Sequence, residues 1–433
     1  MLDSTLPLLS QGYAWLPDLT RKQGGGVVRT RLLGKPAVAL RGPAAVAFFY
    51  DEAHVRRRTA LPEPILSTLF GHGAVHTLDG EEHRRRKALF VSLLTDASGV
   101  ARLAEHVAEE WERARKEWRG GSRVTLFDEV SLLLTRAVCA WTGVPTEPED
   151  EVRLLARDLV AMVDGFATAG PRHWRARRAR ARQEERLAGL IEEIRRTDPA
   201  APYDPAAPSA PSGPSAPSGP SGPSGSDAAE PATALRAVAA HRDADGRLLD
   251  ARTAAVEILN ILRPTVAVTW FTVFGAHALH RKPELRAPLA EDRDGYARAF
   301  AHEVRRFYPF APFVAGLAPQ DVEWRGQHIA EGTMVLLDLY GQNHDPELWN
   351  DPYTFDPERF TGREPGRDEL VPQGGGEVSG GHRCPGEDVT LAVLSTLLPR
   401  LARLDHRVPG QDLRIPLRRV PTLPRSGFVI EPV

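Results

Sequence analysis

Cysteine is almost missing from this chain: Cys139 and Cys384 are the two it has. That scarcity implies no disulfide framework, which fits a reducing compartment, and one cysteine in a loop is too few for a thiolate zinc cage. A charge excess is missing too. The 55 basic and 57 acidic side chains leave a formal charge of -2, so nothing global points to a nucleic-acid partner. The N-terminus, Met1-Leu2-Asp3-Ser4-Thr5-Leu6, lacks a basic stretch followed by an apolar one, and no signal peptide is expected. No uninterrupted apolar run reaches the length of a bilayer span. What is present is a chain of 433 residues, 42% apolar, enough for a sizeable core. The reading is a cytoplasmic protein.

Apolar spacing organises most of the chain into helices. Residues 27–33 and 37–40, joined by Gly34-Lys35-Pro36, read as a β-hairpin. Helices are expected over 43–49, 64–70, about 103–118, 128–141, 152–166 and 172–196. Asp79 and Glu82 have capping-box spacing for a helix carrying His83 and Lys87, which are four apart and share a face. Because Arg84, Arg85 and Arg86 surround them, a solvated basic face is the plain alternative. Cys139 lies in a helical run and reads as core. The arginines at 172, 175, 177, 178, 180 and 182 read as a solvated face rather than a lipid or partner surface. From 205 to 227 the composition collapses to Pro, Ser, Gly and Ala. Such a stretch cannot bury enough apolar surface to order itself, and it reads as a flexible insertion within one domain spanning 1–433.

Residues 252–280 are the most apolar helix. Pro264 cannot donate to the Asn260 carbonyl and should kink it. Arg263 sits among Ile258, Leu259, Leu262, Val266 and Val268. An unpaired buried charge is very costly, so this arginine either meets an anion, snorkels to water or pairs with a core carboxylate. Short strands are expected at 322–324, 328–329 and 334–337.

The glycine-crowded stretch from Gln373 to Glu387 ends on Cys384-Pro385-Gly386, and a periodic helix follows. Pro385 suits a first helical position, which would set the Cys384 sulfur at a helix N-terminus that favours a thiolate. Glycines let backbone approach a flat partner closely. A thiolate in such a loop fits the axial ligand of a haem, and a small buried free cysteine is the alternative.

This loop resembles the haem-thiolate signature of the cytochrome P-450 superfamily. Its leading aromatic is replaced by Gln373-Gly374 and the loop is a few residues longer, as in the bacterial branch of peroxide-driven fatty-acid hydroxylases and decarboxylases. Glu303-x-x-Arg306 and, in Phe355-Asp356-Pro357-Glu358-Arg359-Phe360, Arg359 resemble the family's structural triad. The resemblance implies a mainly α cytochrome P-450 fold with a small β lobe and one haem b (iron protoporphyrin IX). It implies Cys384 as iron ligand, with His83, Lys87 and His382 around the haem. Most relatives place an acid–alcohol pair on the long helix; here Arg263-Pro264 stands there, as in the peroxygenase branch, where the arginine holds the fatty-acid carboxylate. Phe70, His76, Ala169 and Phe313 are then expected around the substrate.

The resemblance further implies a reaction. Hydrogen peroxide is the oxidant, and the substrate's own carboxylate, gripped by Arg263, serves as general acid–base. The products are 2- and 3-hydroxy acids, or a terminal 1-alkene plus carbon dioxide. His76 is expected to titrate near neutral pH and to favour the alkene. From its residues alone it is equally a histidine satisfying a buried backbone group. Two other functions fit the same motifs: a monooxygenase fed by redox partner proteins, and a haem protein that senses or carries a ligand.

Overall fold

Asp96 accepts a bond from the Gly99 amide at 2.8 Å and opens the helix Ala97–Glu117; Asp250 does the same for Thr253 at 2.9 Å and opens Ala251–Val266. Leu126–Thr142 stops at Gly143, whose φ of 79° suits a residue with no side chain. Helices of this kind build most of the fold in this computed structural model, which describes residues 3–25, 27–118, 122–166, 168–197 and 233–433. The 205–227 insertion lies outside the described residues.

The apolar stripes pack into one large core. Leu103, Val107 and Trp111 meet the buried faces of Leu126–Thr142 and Glu387–Arg403, and Ala251–Val266 runs through the middle. Cys139 is fully buried there. The long apolar helix breaks at Ala267, three residues beyond Pro264, and continues as Val268–Arg281. Taken together, 251–281 is long and apolar enough to cross a membrane, which the sequence reading did not anticipate, yet 94% of its most apolar window is buried in protein.

The β lobe ties the chain's start to its later half. The hairpin Val28–Leu32/Lys35–Leu40 extends through a parallel pairing of Lys35–Leu40 with Met334–Asp338, which in turn pairs antiparallel with Phe313–Leu317. Val322–Trp324 and Gln327–Ile329 form a separate hairpin. A mainly α fold with small sheets is thus the observed class.

Glu303 and Arg306 are fully buried. The Arg306 guanidinium donates to both Glu303 oxygens at 2.7 Å and to the carbonyls of Asn343, Pro352 and Thr354. Arg359 Nε lies 3.7 Å from Glu303 Oε1. This knot staples Tyr296–Phe307 to the segment that leads into the cysteine loop.

Three local expectations need correction. The Asp79 side chain makes no capping bond; its oxygens accept the amides of Arg57 and Arg58 at 2.9 and 2.8 Å, while Glu82 pairs with Arg58. Pro385 is not a first helical residue, because the helix starts at Glu387 behind Gly386. The arginine run on Pro171–Thr197 is not uniformly solvated. Arg180 points inward, is 2% exposed, pairs with Glu184 at 2.7 Å and donates to the carbonyls of Leu69 and Phe70.

Candidate active site

Cys384 leads into the Glu387–Arg403 helix. Burial pushes its thiol above the ordinary value, while the Gly386 amide, the Lys87 ammonium and the Gln373 amide all pull the other way. Gln373 Nε2 lies 3.8 Å from the sulfur and 3.0 Å from the Thr390 hydroxyl. The Glu387 carboxylate works against the thiolate, and these three neighbours work for it.

Across from the loop, the helix Gly80–Leu94 presents its histidine and lysine inward. His83 and Lys87 are 2% and 4% exposed, so the solvated alternative does not hold for them, whereas Arg84 and Arg85 are exposed. Lys87 Nζ donates to the Arg383 carbonyl. Burial lowers its pKa to about 8. The His83 ring stacks on His382 at 3.9 Å, and burial brings the His83 pKa down to about 3. His83 Nδ1 is buried with no hydrogen-bond partner among the described residues, and His382 Nε2 faces Glu52 at 3.5 Å and Asp79 at 3.6 Å. Glu52, His83 and His382 each bring a donor atom within 4.8 Å of the others. Polar groups of this kind near the half-buried Cys384 fit a haem that would take the sulfur on iron and offer its polar edge to the histidines and the lysine.

The third wall is the middle of Ala251–Val266. Arg263 is buried and, among the described residues, makes one hydrogen bond, from Nη2 to Asn260 Oδ1 at 3.1 Å, while its Nε has no partner there. Burial, then the charge of Arg180, bring its pKa down to about 9, so it stays charged at neutral pH. The Phe70 ring centre is 5.6 Å from the guanidinium carbon, and the His76 ring lies 4.4 Å from that of Phe70. Phe70 ends a turn of π-helix, Leu66–Phe70, capped by Gly71 at a φ of 87°. An added Cβ at Gly71 would come within 2.2 Å of the Arg180 guanidinium. Phe70, His76 and Arg263 are therefore brought together from three separate segments.

His76 does not behave as expected. Burial, followed by the charges of Arg263 and Lys87, holds its pKa well below the ordinary value, so the ring is neutral at pH 7. Its Nδ1 has no partner. Ala169 is exposed on the turn before Pro171–Thr197, and Phe313 is half-buried with its ring edge-on to Trp15 at 5.9 Å. Neither joins the Arg263 cluster through a described contact.

Sequence reading missed what holds Arg263. Glu257 accepts the Val75 amide at 2.9 Å and Arg86 at 2.7 Å, and its other oxygen accepts Asn260 Nδ2 at 3.2 Å. Asn260 also donates to the Phe70 carbonyl. The signal was present: Glu257, Asn260 and Arg263 stand three apart on one face in the apolar middle of the helix.

The Cytochrome P450 family pattern matches residues 295–422. Cytochrome P450SP alpha, solved in complex with (R)-ibuprophen, is 41% identical and covers 99% of this chain and 98% of its own, with a TM-score of 0.88. Wild-type cytochrome P450EX alpha with myristic acid is 35% identical over 100% of this chain and 97% of that one, with a TM-score of 0.87. A variant of cytochrome P450 OleT in complex with arachidonic acid is 34% identical over 100% and 96%, with a TM-score of 0.88.

Proposed function

The chain belongs to the cytochrome P450 family, in its fatty-acid peroxygenase branch, and from that premise we propose that it uses hydrogen peroxide to oxidise fatty acids at Cα and Cβ. The observation that carries this is Arg263: a buried guanidinium with one hydrogen bond, a free Nε and two rings beside it. A charge left so poorly paired is costly unless an anion completes it. The carboxylates beside three similar proteins, two of them fatty acids, supply such an anion.

We read the whole chain as one haem domain and the group as haem b, with Cys384 on the iron and His83, Lys87 and His382 at its polar edge. When bound, the thiolate-ligated haem supplies heterolysis of the peroxide O–O bond. The protein's residues do the rest. Arg263 grips the carboxylate through paired N–H donors, a geometry Lys would not give. Asn260, itself held by Glu257 and Arg86, sets the guanidinium's angle. Phe70 and the apolar helix face exclude water around the chain. Holding the carboxylate fixed places Cα and Cβ nearest the oxidant.

Among the described residues no acid pairs with Arg263 to move a proton, and the neighbouring Thr265 hydroxyl already donates to the Ile261 carbonyl at 2.9 Å. The substrate carboxylate is then the proton relay between the two peroxide oxygens. Hydroxylation consumes one acid and one peroxide and gives a hydroxy acid and water. Oxidative decarboxylation consumes the same pair and gives a 1-alkene, carbon dioxide and two waters. His76 governs the branch between them. Burial lowers its pKa first and the Arg263 charge second, so a carboxylate on Arg263 offsets the second of these and leaves the first. The enzyme acts in the cytoplasm in this reading.

The test supplies hydrogen peroxide and no electron donor to the purified holoenzyme, with a series of saturated acids and product analysis by mass spectrometry. Hydroxy acids with 1-alkenes are expected. No turnover of any acid would overturn the reading.

A further inference from the structure

Eight large apolar side chains stand exposed among the described residues, and five of them, Leu6, Leu9, Leu33, Leu417 and Trp174, lie on segments that touch in series. The Leu33 amide donates to the Thr5 hydroxyl at 2.7 Å, joining the hairpin tip to the helix Thr5–Gln11. Gly12, at the end of that helix, packs on the Leu417–Arg418 backbone so closely that a Cβ would come within 2.3 Å. Arg419 then pairs with Asp164 at 2.5 Å, and Asp164 pairs with Arg172, two residues from Trp174. These contacts join the segments in series.

Its charge runs against that of the whole chain. Arg31, Lys35, Arg175, Arg177, Arg178 and Arg418 are exposed along it. The exposed acid within residues 3–11, 31–36, 171–182 and 417–418 is Asp3, whose carboxylate is committed to the amides of Thr5 and Gly34, while the exposed Glu185, Glu192 and Glu193 lie farther along Pro171–Thr197. A protein with a formal charge of -2 therefore carries a basic strip studded with leucines and a tryptophan. Leu33 adds a second sign of purpose. It holds a left-handed φ of 52° ahead of Gly34 at 77°, a two-residue turn that normally takes Asn-Gly. A bulky leucine kept there, exposed and strained, is poor for folding.

We propose that this strip docks the enzyme on an anionic phospholipid bilayer, with Leu6, Leu9, Leu33, Leu417 and Trp174 seated at the headgroup boundary and the arginines on anionic lipid. Exposed apolar groups set among cations bind by burying apolar area while neutralising lipid charge. Tryptophan suits that boundary because one end is apolar and the other a hydrogen-bond donor. Long-chain acids reside in bilayers, so docking would bring the enzyme to its substrate. Vesicle binding does not depend on the peroxygenase reading, and the two can fail separately.

The experiment sediments the holoenzyme with phosphatidylcholine vesicles, with and without phosphatidylglycerol, at low salt. Binding is expected with phosphatidylglycerol and at least tenfold weaker without it. Leu6→Ser/Leu9→Ser/Leu33→Asn and Arg175→Glu/Arg178→Glu/Arg418→Glu should each weaken binding at least tenfold while keeping the reduced carbon-monoxide spectrum of the parent. Brominated lipid should quench an emission component that Trp174→Phe removes. The proposal is overturned by no binding to phosphatidylglycerol vesicles, or by binding that both variants retain within twofold. Salt-reversible binding without quenching also overturns it, and would assign the strip to an acidic protein.

Discussion

Arg306 and Arg263 are both buried arginines on helices of the same core, and they are treated in opposite ways. Arg306 is saturated: Glu303 takes it with two bonds and three backbone carbonyls take the rest. Arg263 has one bond to a neutral amide and a free Nε. The histidines near them repeat the contrast. His344, beside Arg306, bonds the Tyr340 carbonyl through Nδ1 at 3.0 Å, whereas His76, beside Arg263, leaves Nδ1 unpaired. Arg306 and the Nδ1 of His344 are satisfied within the chain. Arg263 and His76 each keep an unpaired nitrogen, a cost that substrate would offset in the proposed function.

The widest gap between the two regions should appear when each loses its charge partner. Glu303→Ala strands the Arg306 guanidinium in the core and should cost about 3–5 kcal/mol, seen as a lower urea midpoint and loss of the thiolate spectrum. Arg263→Leu should do the reverse. Stability should change by less than about 1 kcal/mol, because an unpaired buried charge is removed, while peroxide-dependent fatty-acid turnover falls by about 100-fold or more. If Arg263→Leu unfolds the protein and Glu303→Ala does not, the comparison is broken.

A pH series sharpens the same contrast. Burial lowers the His344 pKa to about 4. The unfolded chain takes that proton near pH 6.5 and the folded chain does not, so stability is full above 6.5 and falls as pH drops toward 4. The His344 share of that loss is on the order of 3 kcal/mol, and His344→Asn should remove this share in acid denaturation curves while His83, His241, His277 and His302, whose pKa values burial also lowers, keep theirs. A smaller effect is expected from filling Arg263 from outside. A short carboxylic acid added to the wild-type enzyme should switch on peroxide-driven oxidation of substrates that lack a carboxylate, and should do nothing in Arg263→Leu. The smallest change concerns His76→Gln, which should move products from 1-alkene toward 3-hydroxy acid with similar peroxide consumption, read by mass spectrometry.

Much of this was legible from residue order. Cys384 in its glycine loop, Glu303-x-x-Arg306, and an arginine–proline pair in an apolar helix each have a physical reason to be conspicuous. What escaped depends on distant segments meeting. The Asp79 carboxylate leaves its own helix for two upstream amides because Arg57 and Arg58 arrive there through the fold. Arg180 reads as one arginine among many until the Leu69 and Phe70 carbonyls are seen at its tip. His76 was expected to titrate near neutrality because sequence does not reveal its burial, nor that the charges of Arg263 and Lys87 act on it.

The account turns on Arg263 being kept for a carboxylate. The direct measurement is an optical titration of the haem in the holoenzyme with a saturated fatty acid and with the primary alcohol of the same chain, in wild type and in Arg263→Leu. The acid should bind about 100-fold tighter than the alcohol in the wild type, a difference of about 3 kcal/mol, and the variant should bind the two equally. Equal preference for the acid in both proteins would show that the carboxylate is held elsewhere.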